Sequence, residues 1–275
     1  MKNIIVAIDF SKCSLHALEY AIMIANQTQA NIKMVWVDNQ SSADMIFTAE
    51  EQEDRQEKKA YFEEILERYR SKLEKGKLDY RLRKGKVFIE IAAQAKQDKA
   101  SLIVTGTHGV SGFEQYWIGS NTYRIVTSAP CPVLAVRHDF NIENSIKKIV
   151  FPLDSTKDSI SKLEYSASFA KEFEAQLFVL SIYPQVIAAL KRKVDQETEK
   201  VVQYLEENKV KFAVETIKSD DITKSIINYA NTQKADLIAI MTEQGVTNSS
   251  VFLGPNARQI INNSNIPVLN IRPKI

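Results

Sequence analysis

Short apolar runs alternate with longer amphipathic stretches along the whole chain. In the first half, this pattern predicts strands at 3–9, 31–37, 78–83, 101–105 and 133–137, with helices at about 13–27, 44–75, 87–98 and 118–128. The longest helix is indicated by Tyr61, Ile65, Tyr69 and Leu73, which recur every four residues with charged residues between them. Such alternation predicts an α/β protein with a parallel sheet covered by helices on both faces.

The same series of elements occurs twice. The strand at 3–9 recurs at 148–154, 145 residues later, and the run at 131–134 recurs at 266–269, 135 residues later. In the second half we expect strands near 148–153, 176–182, 211–216, 236–241 and 267–271, with a long helix at 186–207. A repeat of this kind indicates tandem homologous domains, which we place at 1–138 and 146–275 on either side of a polar segment.

Composition narrows the range of partners. The 275 residues include 36 basic and 34 acidic ones, for a formal charge of +2, so the sequence indicates neither nucleic acid nor an anionic membrane as a partner. No apolar run approaches the roughly 20 residues that span a bilayer, and residues 1–30 lack the layout of a signal peptide. We therefore expect a cytoplasmic protein.

A glycine-rich loop follows the fourth predicted strand and has the pattern Gly106-x-x-Gly109-x9-Gly119-Ser120. Glycine lets backbone N–H groups approach an anion closely, and the hydroxyl of Ser120 adds a donor. The helix that starts here supplies further N–H groups and the positive end of its dipole. The spacing therefore indicates a loop that binds phosphate groups.

Together these features resemble the universal stress protein family. The first strand ends in Asp9, followed two residues later by Ser11, as in that family, and residues 131–137 resemble its last strand. The resemblance implies two tandem, doubly wound, parallel five-stranded sheets of the adenine nucleotide alpha-hydrolase-like type, each with strand order 3-2-1-4-5. Strands 1 and 4 would then flank the point where strand order reverses, so Asp9 and the glycine loop would meet in one crevice.

Members of the family that keep the glycine motif bind ATP, so the resemblance implies ATP together with Mg²⁺ or Mn²⁺ held mainly by the phosphates. Carried over residue by residue, it places three residues at the adenosine, namely Ala7, Asp9 and Val37. It places four at the ribose and phosphates, Gly106, Gly109, Gly119 and Ser120, with Thr105, His108 and Asn121 as neighbours. Ala7 stands where the family has proline. The cysteines and histidines show no spacing typical of a metal site.

The second half departs from the motif. Its loop reads Thr242-Glu243-Gln244-Gly245, then eight residues, then Gly254-Pro255. In this alignment Thr242 replaces the first glycine, and Pro255 replaces the serine and has no N–H to donate. We therefore expect one ATP per chain, in the first half, and a degenerate motif in the second.

Three functions remain open on the sequence alone. The first is an ATP-binding stress-response or signalling module whose nucleotide alters the binding of a protein partner, the second a slow ATPase, and the third an interaction scaffold that needs no nucleotide. Fast hydrolysis is not expected, because the chain lacks a P-loop lysine motif and a nucleophile elbow, and no residue is assigned a catalytic role. The last strands, 133–136 and 268–271, are expected to pair within the chain, and a further homodimer stays open.

Overall fold

The structure is a computed structural model, and it describes residues 1–39, 49–108, 118–142, 145–154, 160–183, 188–244 and 251–272. The first half contains, in order, β1 (Asn3–Ala7), α1 (Lys12–Thr28), β2 (Asn31–Asp38), α2 (Ala49–Arg70), β3 (Leu78–Lys84), α3 (Val87–Gln97), β4 (Leu102–Gly106), α4 (Ser120–Ser128) and β5 (Val133–Val136).

The second half repeats the same series of elements. Its elements are β6 (Lys148–Leu153), α5 (Leu163–Glu172), β7 (Gln176–Tyr183), α6 (Ala188–Glu207), β8 (Phe212–Lys218), α7 (Ile222–Thr232), β9 (Leu237–Met241), β10 (Glu243–Gln244), β11 (Val251–Phe252), α8 (Pro255–Asn263) and β12 (Val268–Ile271). The strands β10 and β11 form an antiparallel pair in the loop that corresponds to the glycine-rich loop of the first half, where residues 109–117 lie outside the described part of the chain.

In the described part of the chain, the remaining strands form one ten-stranded sheet in the order β3-β2-β1-β4-β5-β12-β9-β6-β7-β8. The five strands of each half run parallel and have the predicted order 3-2-1-4-5. The halves meet where β5 pairs antiparallel with β12, with Leu134 opposite Leu269. The predicted pairing of the two last strands is therefore present, and it merges the two predicted sheets into one.

Helices cover both faces of this sheet, and the apolar core on each face runs through both halves. On one face, the cluster contains Tyr20 and Phe62 of the first half with Phe151 and Phe169 of the second. The cluster on the other face likewise joins residues of α3 and α4 to residues of α7 and α8. Because both faces are covered, the central strands are buried along their whole length, which explains why they read as continuous apolar runs.

Two tyrosines at equivalent positions cross between the halves. The Tyr20 hydroxyl of α1 donates to the Asp236 carbonyl at 3.4 Å, and the Tyr165 hydroxyl of α5 donates to the Ser101 carbonyl at 3.1 Å. Burial raises the pKa of both phenols above the ordinary value, so both hydroxyls stay protonated and able to donate.

Several predicted element ends differ from the structure, most of them by one or two residues, and two of the differences have a visible cause. The first strand ends at Ala7 rather than residue 9, because Phe10 has a left-handed φ of 63° and turns the chain into α1. The long helix ends at Arg70 rather than residue 75, since the Asn26 side chain of α1 donates to the Lys72 carbonyl and accepts from the Glu74 N–H. Residues 44–48, which the same prediction placed in the helix, lie outside the described residues.

None of the helices in the described part of the chain is long and apolar enough to cross a membrane.

Candidate functional site

A cavity of about 350 Å³ opens at the carboxyl ends of β1 and β4, where the strand order of the first half reverses. This switch-point cavity is within the size range of small-molecule sites. Nearly all of the predicted site residues line it, namely Ala7, Asp9, Val37, Thr105, Gly106, His108, Gly119, Ser120 and Asn121. Gly109 lies outside the described residues.

The turn after β1 fixes the Asp9 carboxylate. Its Oδ1 accepts hydrogen bonds from the Ser11 N–H at 3.0 Å and from the Ser11 hydroxyl at 2.6 Å. Ser11 in turn caps α1, since its side chain accepts from the Ser14 N–H. In the described residues, hydrogen bonds to this carboxylate use Oδ1 alone, which leaves Oδ2 as an acceptor for a ligand. The Asp-x-Ser spacing thus both starts the helix and orients the carboxylate.

The α4 helix begins at the cavity without a side-chain cap. Gly119 is its N-cap residue, and the N–H groups of Ser120, Asn121 and Thr122 follow in the first turn, where helical N–H groups have no acceptor within the helix. The start of the helix is held in place because the Gly119 N–H donates to the Thr107 carbonyl at 2.9 Å and the Thr122 hydroxyl donates to the Gly106 carbonyl at 2.7 Å. Within the described residues these N–H groups of the first turn have no acceptor, so the arrangement presents donors and the positive end of the helix dipole to the cavity.

The two described glycines of the motif have different surroundings. A Cβ at Gly106 would lie 2.8 Å from Cys13 Sγ and 3.0 Å from the Cys13 carbonyl carbon, so Gly106 is needed for α1 to approach β4. A Cβ at Gly119 would meet the Thr107 carbonyl oxygen at 3.4 Å, an ordinary contact, and φ there is −56°, which any residue can adopt. Protein packing therefore requires glycine at 106 and does not require it at 119.

Most of the apolar wall of the cavity was missed in the sequence, and Val37 is its one predicted member. The wall is formed by Val35 and Val37 of β2, Val87 and Ile91 of α3, and Ile125 of α4. The signal was present, since Val35 and Val37 are two residues apart on a strand and Val87 and Ile91 are four apart on a helix. The same spacing is typical of ordinary core residues, however, so it could not single these out. The polar residues Ser14, Asn39 and Thr122 also line the cavity.

The described residues around the cavity do not form a cluster of metal-binding side chains. His108 Nδ1 lies 2.8 Å from the Thr107 hydroxyl, to which it is hydrogen-bonded. Across the described residues, no group of three or more His, Cys, Asp or Glu side chains is placed to hold a metal ion. A divalent ion at this site would therefore need ligands from the bound molecule itself, as the phosphates of a nucleotide would provide.

Sheet register corrects the alignment of the second half. Gly106 pairs with Val136, and at the equivalent place Met241 pairs with Ile271, so Met241 rather than Thr242 occupies the position of the first glycine. Thr242 instead matches Thr107, since each donates its N–H to the last residue of the neighbouring strand. Both loops then span the same number of residues. In the second loop β10 pairs antiparallel with β11, and Pro255 stands at the first position of α8, where the first half has Ser120.

Comparison with known protein families identifies the family of the chain. The model of the universal stress protein family matches residues 1–137 and again residues 145–272. The chain belongs to the universal stress protein family. It is a tandem member of that family, with one family domain in each half of the chain.

Individual relatives of the same family match single halves. Universal stress protein MJ0531 of Methanocaldococcus jannaschii is 30% identical over 146 residues, covering 48% of this chain and 85% of the relative. Universal stress protein YxiE of Bacillus subtilis is 33% identical over 145 residues, covering 49% of this chain and 98% of the relative.

Some solved structures match nearly the whole length of the chain. A universal stress protein from Archaeoglobus fulgidus DSM 4304 has a TM-score of 0.75 at 19% identity, covering 98% of this chain and 96% of that one. The functionally unknown protein PA1789 of Pseudomonas aeruginosa PAO1 has a TM-score of 0.69 at 17% identity, with 99% and 93% covered. At these identities the likeness shows a shared fold.

Proposed function

We propose that the switch-point cavity binds ATP and that the protein is a nucleotide-dependent stress-response or signalling module. The observation that carries the proposal is the meeting of Asp9 with the uncapped start of α4 across one cavity. The Asp9 carboxylate offers an acceptor for a sugar hydroxyl, and α4 offers donors and a positive dipole for phosphates. Only a ligand with both kinds of group uses both ends of the site.

Each part of the cavity has a role in this proposal. The apolar wall of Val35, Val37 and Ile91 suits the faces of an adenine base. Ser120 and Asn121, at the start of α4, provide N–H donors to the phosphates. Mg²⁺ or Mn²⁺, held mainly by the phosphates, would neutralise part of their charge.

We further propose that the second half, 146–275, binds no ATP and that the chain holds one nucleotide in domain 1–138. Met241 fills the position of the first glycine, and Pro255 removes one N–H from the start of α8. The start of α8 therefore offers one donor fewer to phosphates than the start of α4. Calorimetric titration with ATP and magnesium is expected to give one equivalent per chain, whereas two equivalents would contradict this part of the proposal.

The signalling output needs a partner protein. We propose that nucleotide occupancy changes the surface around the cavity and thereby the binding of that partner in the cytoplasm. Slow ATP hydrolysis is the second candidate, because polar residues such as Ser120 and Asn121 line the part of the cavity where the proposed phosphates would lie. It would appear as phosphate release that is lost on substitution of Asp9 or Gly109 without loss of folding. A scaffold that ignores nucleotide would show no response to ATP at all.

The deciding experiment is to denature freshly purified protein and identify the released nucleotide by chromatography with mass detection. About one ATP per chain supports the proposal. No nucleotide, together with no binding of added ATP and magnesium, would favour the scaffold.

A substitution in the loop tests the site itself. Gly109→Val is expected to remove the thermal shift that ATP produces, because added bulk blocks the phosphates. The matched control is Gly245→Val, the same change in the corresponding loop of the second half, which is expected to keep the shift. Loss of the shift in both variants, or in neither, would argue against the assignment.

A further inference from the structure

A hydrogen bond from the second half reaches the start of α4. Ile118, which immediately precedes the N-cap residue Gly119, is 6% exposed. Its N–H donates to Oδ1 of Asn262 at 2.6 Å. Asn262 lies in α8 and is 8% exposed, so the bond is made inside the molecule and away from competing water.

Asn262 is itself held from several sides. Its backbone carbonyl oxygen accepts a hydrogen bond, at 3.2 Å, from the guanidinium of Arg137, the residue that follows β5. One turn earlier on α8, the Arg258 guanidinium lies 5.7 Å from the centre of the Tyr123 ring of α4. Ile118 also shares an apolar cluster with Ile261, the neighbour of Asn262. The side-chain amide therefore has a fixed position relative to the first half.

The bond acts on the segment that aims α4 at the cavity. Residue 118 determines how the chain enters Gly119, whose N–H is bound to the Thr107 carbonyl. The residues that follow carry the N–H groups of the first helical turn, which have no acceptor within the helix. Without the Asn262 acceptor, the buried N–H of Ile118 would be unsatisfied, and the segment would shift to find another partner. A shift of this kind would misdirect the donors that face the phosphates.

Among the described residues, the first half makes no equivalent side-chain hydrogen bond with the second half through α4. Thr127 is the residue of α4 equivalent to Asn262, 135 positions earlier. Its hydroxyl donates within its own helix, to the carbonyls of Tyr123 at 3.1 Å and Arg124 at 3.2 Å. The second half thus supports the site of the first half through a side chain that has no counterpart in return.

From these contacts we propose that Asn262 is a positioning residue of the nucleotide site, through which the second half holds the phosphate-binding start of α4. This inference rests on the proposed function. It gives the half that lacks the glycine motif a direct part in nucleotide binding, and it separates the two ends of the ligand. The phosphate end depends on Asn262, while the adenosine end, built on β1 and β2, does not.

The test compares ATP with adenosine by calorimetry on the full chain. Asn262→Leu is expected to weaken ATP binding roughly tenfold while leaving adenosine binding unchanged, since it removes the acceptor and keeps the side-chain size. Asn262→Asp keeps an acceptor oxygen and is expected to restore most of the ATP affinity. Thr127→Val, at the equivalent position, is the matched control and is expected to bind both ligands as the wild type does.

Amide hydrogen exchange without nucleotide provides the second measurement. Asn262→Leu is expected to raise exchange at residues 118–122 and not at β1 or β2, whereas a variant that simply folds poorly would raise exchange throughout. Unchanged exchange at 118–122, equal weakening of ATP and adenosine, or unchanged ATP affinity in Asn262→Leu would each overturn the inference. If the wild type binds neither ligand, the proposed function fails and the inference fails with it, which is a different result from normal wild-type binding with an unaffected variant.

Discussion

At the scale of single residues, the glycines of one motif serve different purposes. Gly106 lets two backbones approach, because its missing Cβ would overlap Cys13 at the start of α1. A Cβ at Gly119 would make only an ordinary contact with the described residues, at 3.4 Å from the Thr107 carbonyl oxygen. The motif therefore combines a requirement of the fold with a feature left open to a ligand, and substitution can separate the two.

Gly119→Ala is expected to leave the free energy of unfolding within about 0.5 kcal/mol of the wild type and to weaken ATP binding, because the methyl group is added at the cavity lining. Gly106→Ala is expected to lose roughly 1–3 kcal/mol of stability through overlap with Cys13. Urea unfolding and ATP titration of both variants measure the two effects. A strongly destabilised Gly119→Ala with normal ATP affinity would contradict the distinction.

Another residue of note is a buried lysine in the second half. Lys162 immediately precedes α5 and is 3% exposed, with its ammonium 4.5 Å from the centre of the Phe151 ring. Burial lowers its pKa to about 8, although the nearby carboxylates of Asp154 and Glu197 act in the opposite direction. The folded protein therefore binds this proton less tightly than the unfolded chain does, where the pKa has its ordinary value near 10.5.

The sign of the resulting pH dependence follows from proton binding. Between the folded and unfolded pKa values of Lys162 the unfolded chain carries more protons, so stability should rise with pH, by about 1 to 2 kcal/mol from about pH 7.5 to about pH 9.5. Lys162→Met is expected to remove this rise in urea unfolding. Burial raises the pKa of Cys131 to about 12, which lowers stability as the pH rises. This effect is common to the wild type and Lys162→Met, so the difference between their pH profiles reports the lysine. Parallel pH profiles would refute the prediction.

At the scale of elements, α1 and α5 each carry a tyrosine whose hydroxyl binds the other half. Tyr20 donates to the carbonyl of Asp236, the residue before β9, and Tyr165 donates to the carbonyl of Ser101, the residue before β4. Equivalent positions making reciprocal contacts indicate that the two halves meet around an approximate twofold axis. The contacts at Leu134 and Leu269, where β5 and β12 cross, lie on the same axis.

Tyr20→Phe and Tyr165→Phe are each expected to cost roughly 0.5–1.5 kcal/mol, the usual net value of one hydrogen bond. The double variant should lose about the sum, since the two bonds share no residue. Urea unfolding of the three variants provides the measurement. A double variant no less stable than either single one would show that these bonds contribute little.

Most elements could be predicted from the sequence, because buried parallel strands are continuous apolar runs whose lengths and order are visible without a structure. Two of the points that failed depend on contacts between distant residues. The end of α2 is set by Asn26 of another helix, and the alignment of Met241 with Gly106 is visible only in the sheet register. Of the residues around the cavity, Asp9, Gly106 and Gly119 could be predicted from the sequence, whereas the contact of Asn262 with Ile118 could not, since nothing in the helix of Asn262 marks it.

At the scale of the whole molecule, the halves share both apolar cores as well as a sheet. Neither half can unfold without exposing apolar surface of the other. The two domains that the family model recognises are therefore one unit in terms of stability.

Calorimetry is expected to show a single unfolding transition, with equal calorimetric and van't Hoff enthalpies, rather than one transition for each domain. Under the proposed function, ATP should shift that whole transition upward, because it binds the folded state alone. Two resolved transitions, with only the first moving on addition of ATP, would contradict the view that the cores are shared.

The antiparallel joint between β5 and β12 also has an evolutionary meaning. In a symmetric dimer of identical subunits, every substitution is present in both subunits, including one that favours the function of only one of them. Joining the copies in a single polypeptide removes this restriction, so Met241 and Pro255 could arise without altering Gly106 and Ser120. Covalent fusion thus permits a division of labour that identical subunits, related by the same axis, could never acquire.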